Sequence, residues 1–402
     1  MNNRTITIGA VAIVALAAIF YFASSQKKVS EDIKVGILLG FTGPIESLTP
    51  DMASGAELAF NEASNSGELL GGSKITILRA DSTCVDSAAA TAAAEDLLSQ
   101  GMTAMMGADC SGVTGAVATN VAVPNGFVMI SPSATSPGLT DLEDKGMFFR
   151  TAPSDARGGQ VLADITNDKG IKSVAITYVN SDYGLGLADV YKAAVEAYGI
   201  TVTTMASHES DKADYSADVG VLSSAGGDAL AVLGYLDNAG GHIIEGSLDS
   251  GAFDTFVLSD GMIGDSLTDR FGSDLNNSFG SMPGSLGEGA QLFKSVAEAG
   301  GINASVYVGE SYDAAALIVL AMQAGKSSDK GSIAENIMSV ANAPGEKIMA
   351  GEIAKGLKLL ASGKDIDYQG ATDVTFTDVG EAEGAFIEKG ISGGKFTDVA
   401  QR

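Results

Sequence analysis

Two short loops carry the residues best placed to hold a small anion. The first is Met129-Ile130-Ser131-Pro132-Ser133-Ala134-Thr135-Ser136-Pro137, an apolar run that breaks into hydroxyls held by two prolines. The second, Met105-Met106-Gly107-Ala108-Asp109-Cys110-Ser111-Gly112, has the same form. Hydroxyls and backbone N–H groups at strand ends can receive a carboxylate, and open α/β sheets bind ligands there. Ser111 and Gly112 would open a helix, whose unpaired N–H groups and dipole favour an anion. The plain alternatives are a helix cap for Ser111 and a turn hydroxyl for Thr135. Catalysis has little support. Gly107 to Gly112 is not a Gly-x-Ser-x-Gly elbow. His208 and His242 stand outside any triad pattern, which leaves a serine without a base. Tyr183-Gly184-Leu185-Gly186 does not complete a dinucleotide fingerprint, so no cofactor is expected.

Cys84 and Cys110 are the only cysteines. In an exported chain an even pair reads first as a disulfide, with free thiols as the alternative. Two cysteines and two distant histidines give no metal-ligand spacing.

The elements that must position these loops alternate. Ile33–Leu39 reads as a strand ending in the Gly40–Pro44 turn. A helical pattern over Met52–Phe60 follows, then a strand Lys74–Ala80 and an Ala-rich helix from Ser87, its expected cap, to Leu98. Met102–Met106, a helix near Gly112–Ala122 and the strand before Ser131 complete a βαβαβ series, the mark of a parallel sheet. A second series runs through strands Ser173–Tyr178, Ile200–Met205, Ala229–Gly234 and Thr255–Ser259. Its helices are Val161–Asn167, Gly186–Tyr198 and Ala239–Leu248. From Gly280 the chain turns Gly-rich. Helices are expected over Tyr312–Ala324 and Ile348–Ser362, and strands over Asp373–Thr377 and Ala385–Glu388. This late segment has no obvious sheet of its own and is expected to pack on the first unit.

A chain of 402 residues with 45% apolar content suggests two folded domains. A formal charge of −26 excludes a general affinity for nucleic acid, which needs a basic face. Arg4 precedes an apolar run from Ile6 to Ala23, with small residues around a possible cleavage after Ser25. A cleaved signal peptide and a retained anchor both remain open. Either places the body outside the cytoplasm.

Ordered motifs along the chain then resemble a known family. They include Thr42-Gly43-Pro44, Gly55-Ala56-Glu57, Asp81-Ser82-Thr83-Cys84, Ile130-Ser131-Pro132-Ser133, Phe149-Arg150-Thr151-Ala152-Pro153, Asp182-Tyr183-Gly184 and Ser311-Tyr312-Asp313-Ala314. The set resembles the type I periplasmic solute-binding proteins, in particular the branched-chain amino-acid (Leu/Ile/Val) receptors of ABC importers. The resemblance implies an α/β fold of two Rossmann-like lobes with parallel central sheets, joined by a three-stranded hinge near Arg150–Pro153, Gly280–Gly284 and Ala385–Glu388. It divides the chain into a leader or anchor (1–25), a linker (26–32), one lobe (33–151 with 284–384) and a second (152–283 with 385–402).

The same resemblance implies a zwitterion site. The carboxylate falls to Ser111 and the loop of Ser133, Ala134 and Thr135. The ammonium falls to the Ser133 carbonyl and to Asp260, which could also be an ordinary turn Asp before Gly261. Tyr183 and Tyr235 face the ligand from the second lobe. Leu48 stands where the leucine receptors carry an aromatic, with Glu46 nearby and Tyr312 as a further pocket or hinge candidate. The implied function is an exported, monomeric, non-enzymatic receptor for an aliphatic amino acid that serves permease subunits in the membrane. The alternative is a membrane-held sensing or accessory subunit for an amide or short carboxylate.

Overall fold

The computed structural model describes residues 32–402. The expected leader and residues 26–31 of the linker lie outside the described residues. The first sheet has the order β2-β1-β3-β4-β5, all parallel, from β1 (Asp32–Leu39), β2 (Lys74–Asp81), β3 (Ala104–Gly107), β4 (Met129–Ser131) and β5 (Phe148–Arg150). Helices α1 (Thr49–Ser66), α2 (Ser87–Ser99) and α3 (Ser111–Val117) make the crossovers. Pro50 sits in the first turn of α1, where a missing N–H costs nothing, and Gly67 closes the helix at φ 73°. The expected cap of α2 moves by one residue. Asp86 lies in extended backbone and accepts from Ala88 and Ala89 N–H at 2.9 and 3.0 Å, so Ser87 is already helical.

The chain then enters a second parallel series. Helix α4 (Asp155–Asp168) leads to β6 (Ser173–Val179), α5 (Asp182–Ala197), β7 (Thr201–His208), β8 (Ala229–Leu233), α6 (Ala239–Ser250), β9 (Phe256–Leu258) and β10 (Phe279–Pro283). Strand β10 takes up most of the Gly-rich stretch that opens at Gly280, where one of the three crossings was expected. The chain next returns to the first sheet with α7 (Val308–Gly325), buried almost all round from Tyr312 to Gln323. An apolar helix of that kind belongs inside a core, and α7 packs on α1. Each buried Leu, Ile or Val along it contributes roughly 1.5–3 kcal/mol.

Three late expectations change. The helix expected over Ile348–Ser362 is a strand β11 (Glu346–Met349) and a shorter helix Ile353–Ala361, broken where Gly351 takes φ 81°. Strand β11 pairs with β12 (Ile366–Gly370), so the late segment has a small sheet of its own. Asp373–Thr377 is a turn with one bridge at Phe376, because buried Asp313 draws in the N–H groups of Ala371 and Thr372 at 2.8 and 2.9 Å. The chain ends in the hairpin β13 (Phe386–Ser392) and β14 (Lys395–Gln401). It completes a seven-stranded sheet, β14-β13-β10-β9-β8-β6-β7.

The chain thus passes between the two sheets three times, and the crossings touch. Arg150 N–H donates to the Gly380 carbonyl, Ala382 N–H to Arg150 and Gly284 N–H to Ala385, at 3.0–3.1 Å.

Candidate ligand-binding site

The carboxyl ends of both sheets face one cavity, lined by Ile45, Leu48, Met52, Asp109, Cys110, Ser111 and Ser133 from the first unit and by Tyr183, Tyr235, Asp260 and Gly261 from the second, with Tyr307 between. On the first side Cys110, in extended backbone, is the cap position of α3, and no side chain caps the helix. Its first-turn N–H groups are therefore open to an anion. Cys110 is fixed by a disulfide to Cys84, with Cα atoms 5.1 Å apart. Ser111 is the first helical residue rather than the cap. Its hydroxyl accepts from Ser136 N–H at 3.1 Å and so ties the two hydroxyl loops together.

Ser131 donates to the Ala108 carbonyl and accepts from Ala134 N–H at 3.0 Å, while Ser133 donates to the Asp109 carbonyl at 3.1 Å. Asp109 in turn accepts from Gly40 N–H at 2.6 Å and from the Ser82 hydroxyl at 2.7 Å. Burial pushes its carboxyl above the usual range, against those hydrogen bonds.

The second side centres on Asp260, 6% exposed, in a 3₁₀ turn after β9. Tyr183 donates to its Oδ1 at 2.5 Å and accepts from Gly261 N–H at 3.3 Å; Tyr307 donates to Oδ2. Burial raises the Asp260 carboxyl, and both phenols oppose that rise. Tyr183 lies in the first turn of α5, not in the loop its neighbours suggested, and Ser181 caps that turn. The turn docks because Gly184 has no side chain: a Cβ there would meet the Val179 carbonyl at 2.1 Å. The Tyr235 ring stacks on Tyr183 at 5.2 Å and 19°.

The structure brings Leu48, Ser111, Ser133, Tyr183, Tyr235 and Asp260 to this cavity. It places Ala134 and Thr135 behind it. The Ala134 carbonyl accepts from Arg150 at 3.0 Å, and the Thr135 carbonyl accepts from Asp155 N–H at 2.8 Å. Glu46 is exposed, and Tyr312 is a core residue bonded to Glu62 at 2.6 Å. Two residues had no signal in the sequence. Tyr307 takes a left-handed conformation, φ 63°, just ahead of α7. Asp155 is buried close to Asp260, and burial first, then the field of Asp260, drives its carboxyl well up.

The walls are drawn together. Besides the Tyr307–Asp260 contact, Ser136 donates to the Asp182 carbonyl at 3.0 Å, and Ser47 N–H to Asp237 at 2.8 Å. The cavity holds only ≈ 20 Å³, room for about one water, so any larger ligand needs the walls to part first. Both sulfurs are joined, and neither histidine reaches the site. His208 is bonded to Thr177 at 2.8 Å, and burial holds its imidazole down to about 4. Between pH 6.5 and about 4 the unfolded chain binds a proton that the fold refuses, so stability should fall as pH drops through that window. Urea midpoints at pH 7 and pH 5 should differ less in His208→Gln than in the wild type.

A family model described as periplasmic binding protein matches residues 32–354. The Leu/Ile/Val-binding protein homolog 1 of Brucella melitensis is 30% identical over 329 residues, covering 80% of this chain and 85% of that protein. Homolog 3 of the same organism is 32% identical over 255 residues, covering 61% of this chain and 64% of its own length. The chain spans just under two thirds of that second relative. Among solved structures, the branched-chain amino acid transporter substrate binding protein LivJ from Streptococcus pneumoniae, in complex with isoleucine, has a TM-score of 0.76 at 21% identity, over 92% of this chain and 99% of that one. With two α/β units facing one cavity and a match over most of its length, this chain belongs to the periplasmic binding protein family.

Proposed function

We propose that this solute-binding protein is an exported receptor that closes on an aliphatic amino acid and presents it, without turnover, to the permease subunits of an ABC importer. The observation that carries the reading is an uncapped helix start at Ser111 facing the buried carboxyl of Asp260 across one small cavity. A zwitterion has the matching pair of charges. Its carboxylate would take the first-turn N–H groups of α3, its ammonium Asp260, and its side chain Leu48, Ile45 and Met52. The names of the Brucella relatives point to the same ligand class. On this reading residues 33–151 and 284–384 form one lobe, 152–283 and 385–402 the other, and the three crossings are the hinge. Residues 1–25 direct export to the periplasm or outer surface, as signal peptide or anchor, and the receptor acts as a monomer.

A thermal-shift screen of residues 29–402 tests it. Ligand at about a thousand times its dissociation constant adds roughly 4 kcal/mol. Isoleucine, leucine or valine should therefore raise the melting temperature by several degrees. A second reading, a ligand without an amino group, draws on the two phenols that already occupy both oxygens of Asp260. A shift with amides or short carboxylates and none with amino acids would select it over the first.

A further inference from the structure

Leu48 also lines a second and much larger chamber, ≈ 670 Å³, that opens beside the crossing at Met282–Leu286. Glu310, three residues after Tyr307 in the first turn of α7, lines it as well. Glu310 is only 4% exposed. Among the described residues its carboxyl receives one N–H, that of its own backbone, and no hydrogen bond from any other residue. Three other buried carboxyls nearby do receive such bonds. Asp109 is held by Gly40 and Ser82, Asp260 by two tyrosines, and Asp313 by Tyr368, Ala371 and Thr372. The charges that face the chamber do not neutralise Glu310 either. Lys389 is already ion-paired with Asp398, Lys294 is exposed, and Asp51 and Asp265 add negative charge. A buried carboxyl without a partner holds its proton, and in a roomy cavity it has space beside it for a counter-ion.

We propose that this chamber is a second binding site and takes a small organic cation, a primary alkylammonium, with its charge on Glu310 and its carbon chain against Met282, Phe293 and Ile387. All three apolar residues line the chamber and are buried. The proposal is independent of the amino-acid reading of the first cavity.

Proton balance gives the site a signature. Burial pushes the Glu310 carboxyl up to about 8; Asp313 adds to the rise, and Lys389 opposes it. At pH 7 the empty site is mostly protonated. An ammonium beside it favours the carboxylate, so binding passes close to one proton from Glu310 to the buffer. The test is calorimetric titration of the protein with n-butylammonium chloride at pH 7, in two buffers of different ionisation enthalpy.

Saturable binding with nearly one proton released is expected. Glu310→Gln should weaken binding at least tenfold and abolish the release, while Asp260→Asn leaves both in place. Glu310→Asp should keep the release and bind more weakly, a check that does not depend on the Gln variant folding well. Loss of binding in Asp260→Asn but not in Glu310→Gln would put the amine in the first cavity and overturn the proposal. So would binding unchanged in Glu310→Gln, or no saturable binding by the wild type.

Discussion

Asp260→Asn should bind isoleucine at least a hundredfold more weakly than the wild type while its fold stays intact. The ammonium of a bound amino acid would be shut in a closed cleft, where an ion without its partner is expensive. Breaking a buried pair by removing one member costs about 3–5 kcal/mol, and each 1.4 kcal/mol is about a factor of ten in affinity. Asn keeps the shape of Asp but not the charge, and its amide N–H₂ would face a phenol that now donates. The ligand-free protein should lose little. Burial already works against the Asp260 carboxylate, and Asp155 close by adds a like charge. Titration calorimetry decides the matter. A dissociation constant within threefold of wild type would remove Asp260 from the ammonium site, whatever the thermal-shift screen had shown.

Arg150→Met should cost about 3–5 kcal/mol of folding stability, the larger of the two effects on the fold itself. The Arg150 side chain is completely buried. Its guanidinium donates to the carbonyls of Ala134 and Ser136 at 3.0 and 2.9 Å, to the Thr140 hydroxyl at 3.1 Å and to Glu381. One side chain thus holds the first hydroxyl loop from below and joins two of the three crossings. Met fills much of the volume, but it strands two carbonyls and a carboxylate. Urea unfolding measures the loss. Adding Glu381→Gln should recover part of it, because the orphaned charge is then removed, with a coupling above about 1 kcal/mol. A loss below 1 kcal/mol for the single variant would show that water replaces the guanidinium at little cost.

The legible parts of this fold are those where burial is complete. Strands β1, β6 and β8 are buried along nearly their whole length, so they read as apolar runs. The Ile348–Ser362 stretch misled because two short elements share one apolar stripe, and Gly351 alone marks the break. At the site, residue type located the loops but not which side of each loop meets the cavity. Ser111 and Ser133 line it, whereas the adjacent Ala134 and Thr135 face inward, drawn by Arg150 and the start of α4. That choice depends on a guanidinium fourteen or more residues away in the chain. Tyr307 could not be read at all. It follows a Gly-rich stretch and takes a conformation rare for a tyrosine. It matters only because the fold brings it to Asp260, 47 positions earlier.

The long detour before α7 has a kinetic consequence. The core of the first unit needs a helix that begins at Val308, more than 150 residues after β5 ends at Arg150. A ribosome that has made the whole first sheet has therefore made a body with an open face. Contacts so distant along the chain close slowly, since loop-closure entropy precedes any gain from packing. The core of the first unit can therefore close only once roughly three quarters of the chain exists. That delay would suit the export proposed above, in which the chain is threaded through a translocation channel before it folds.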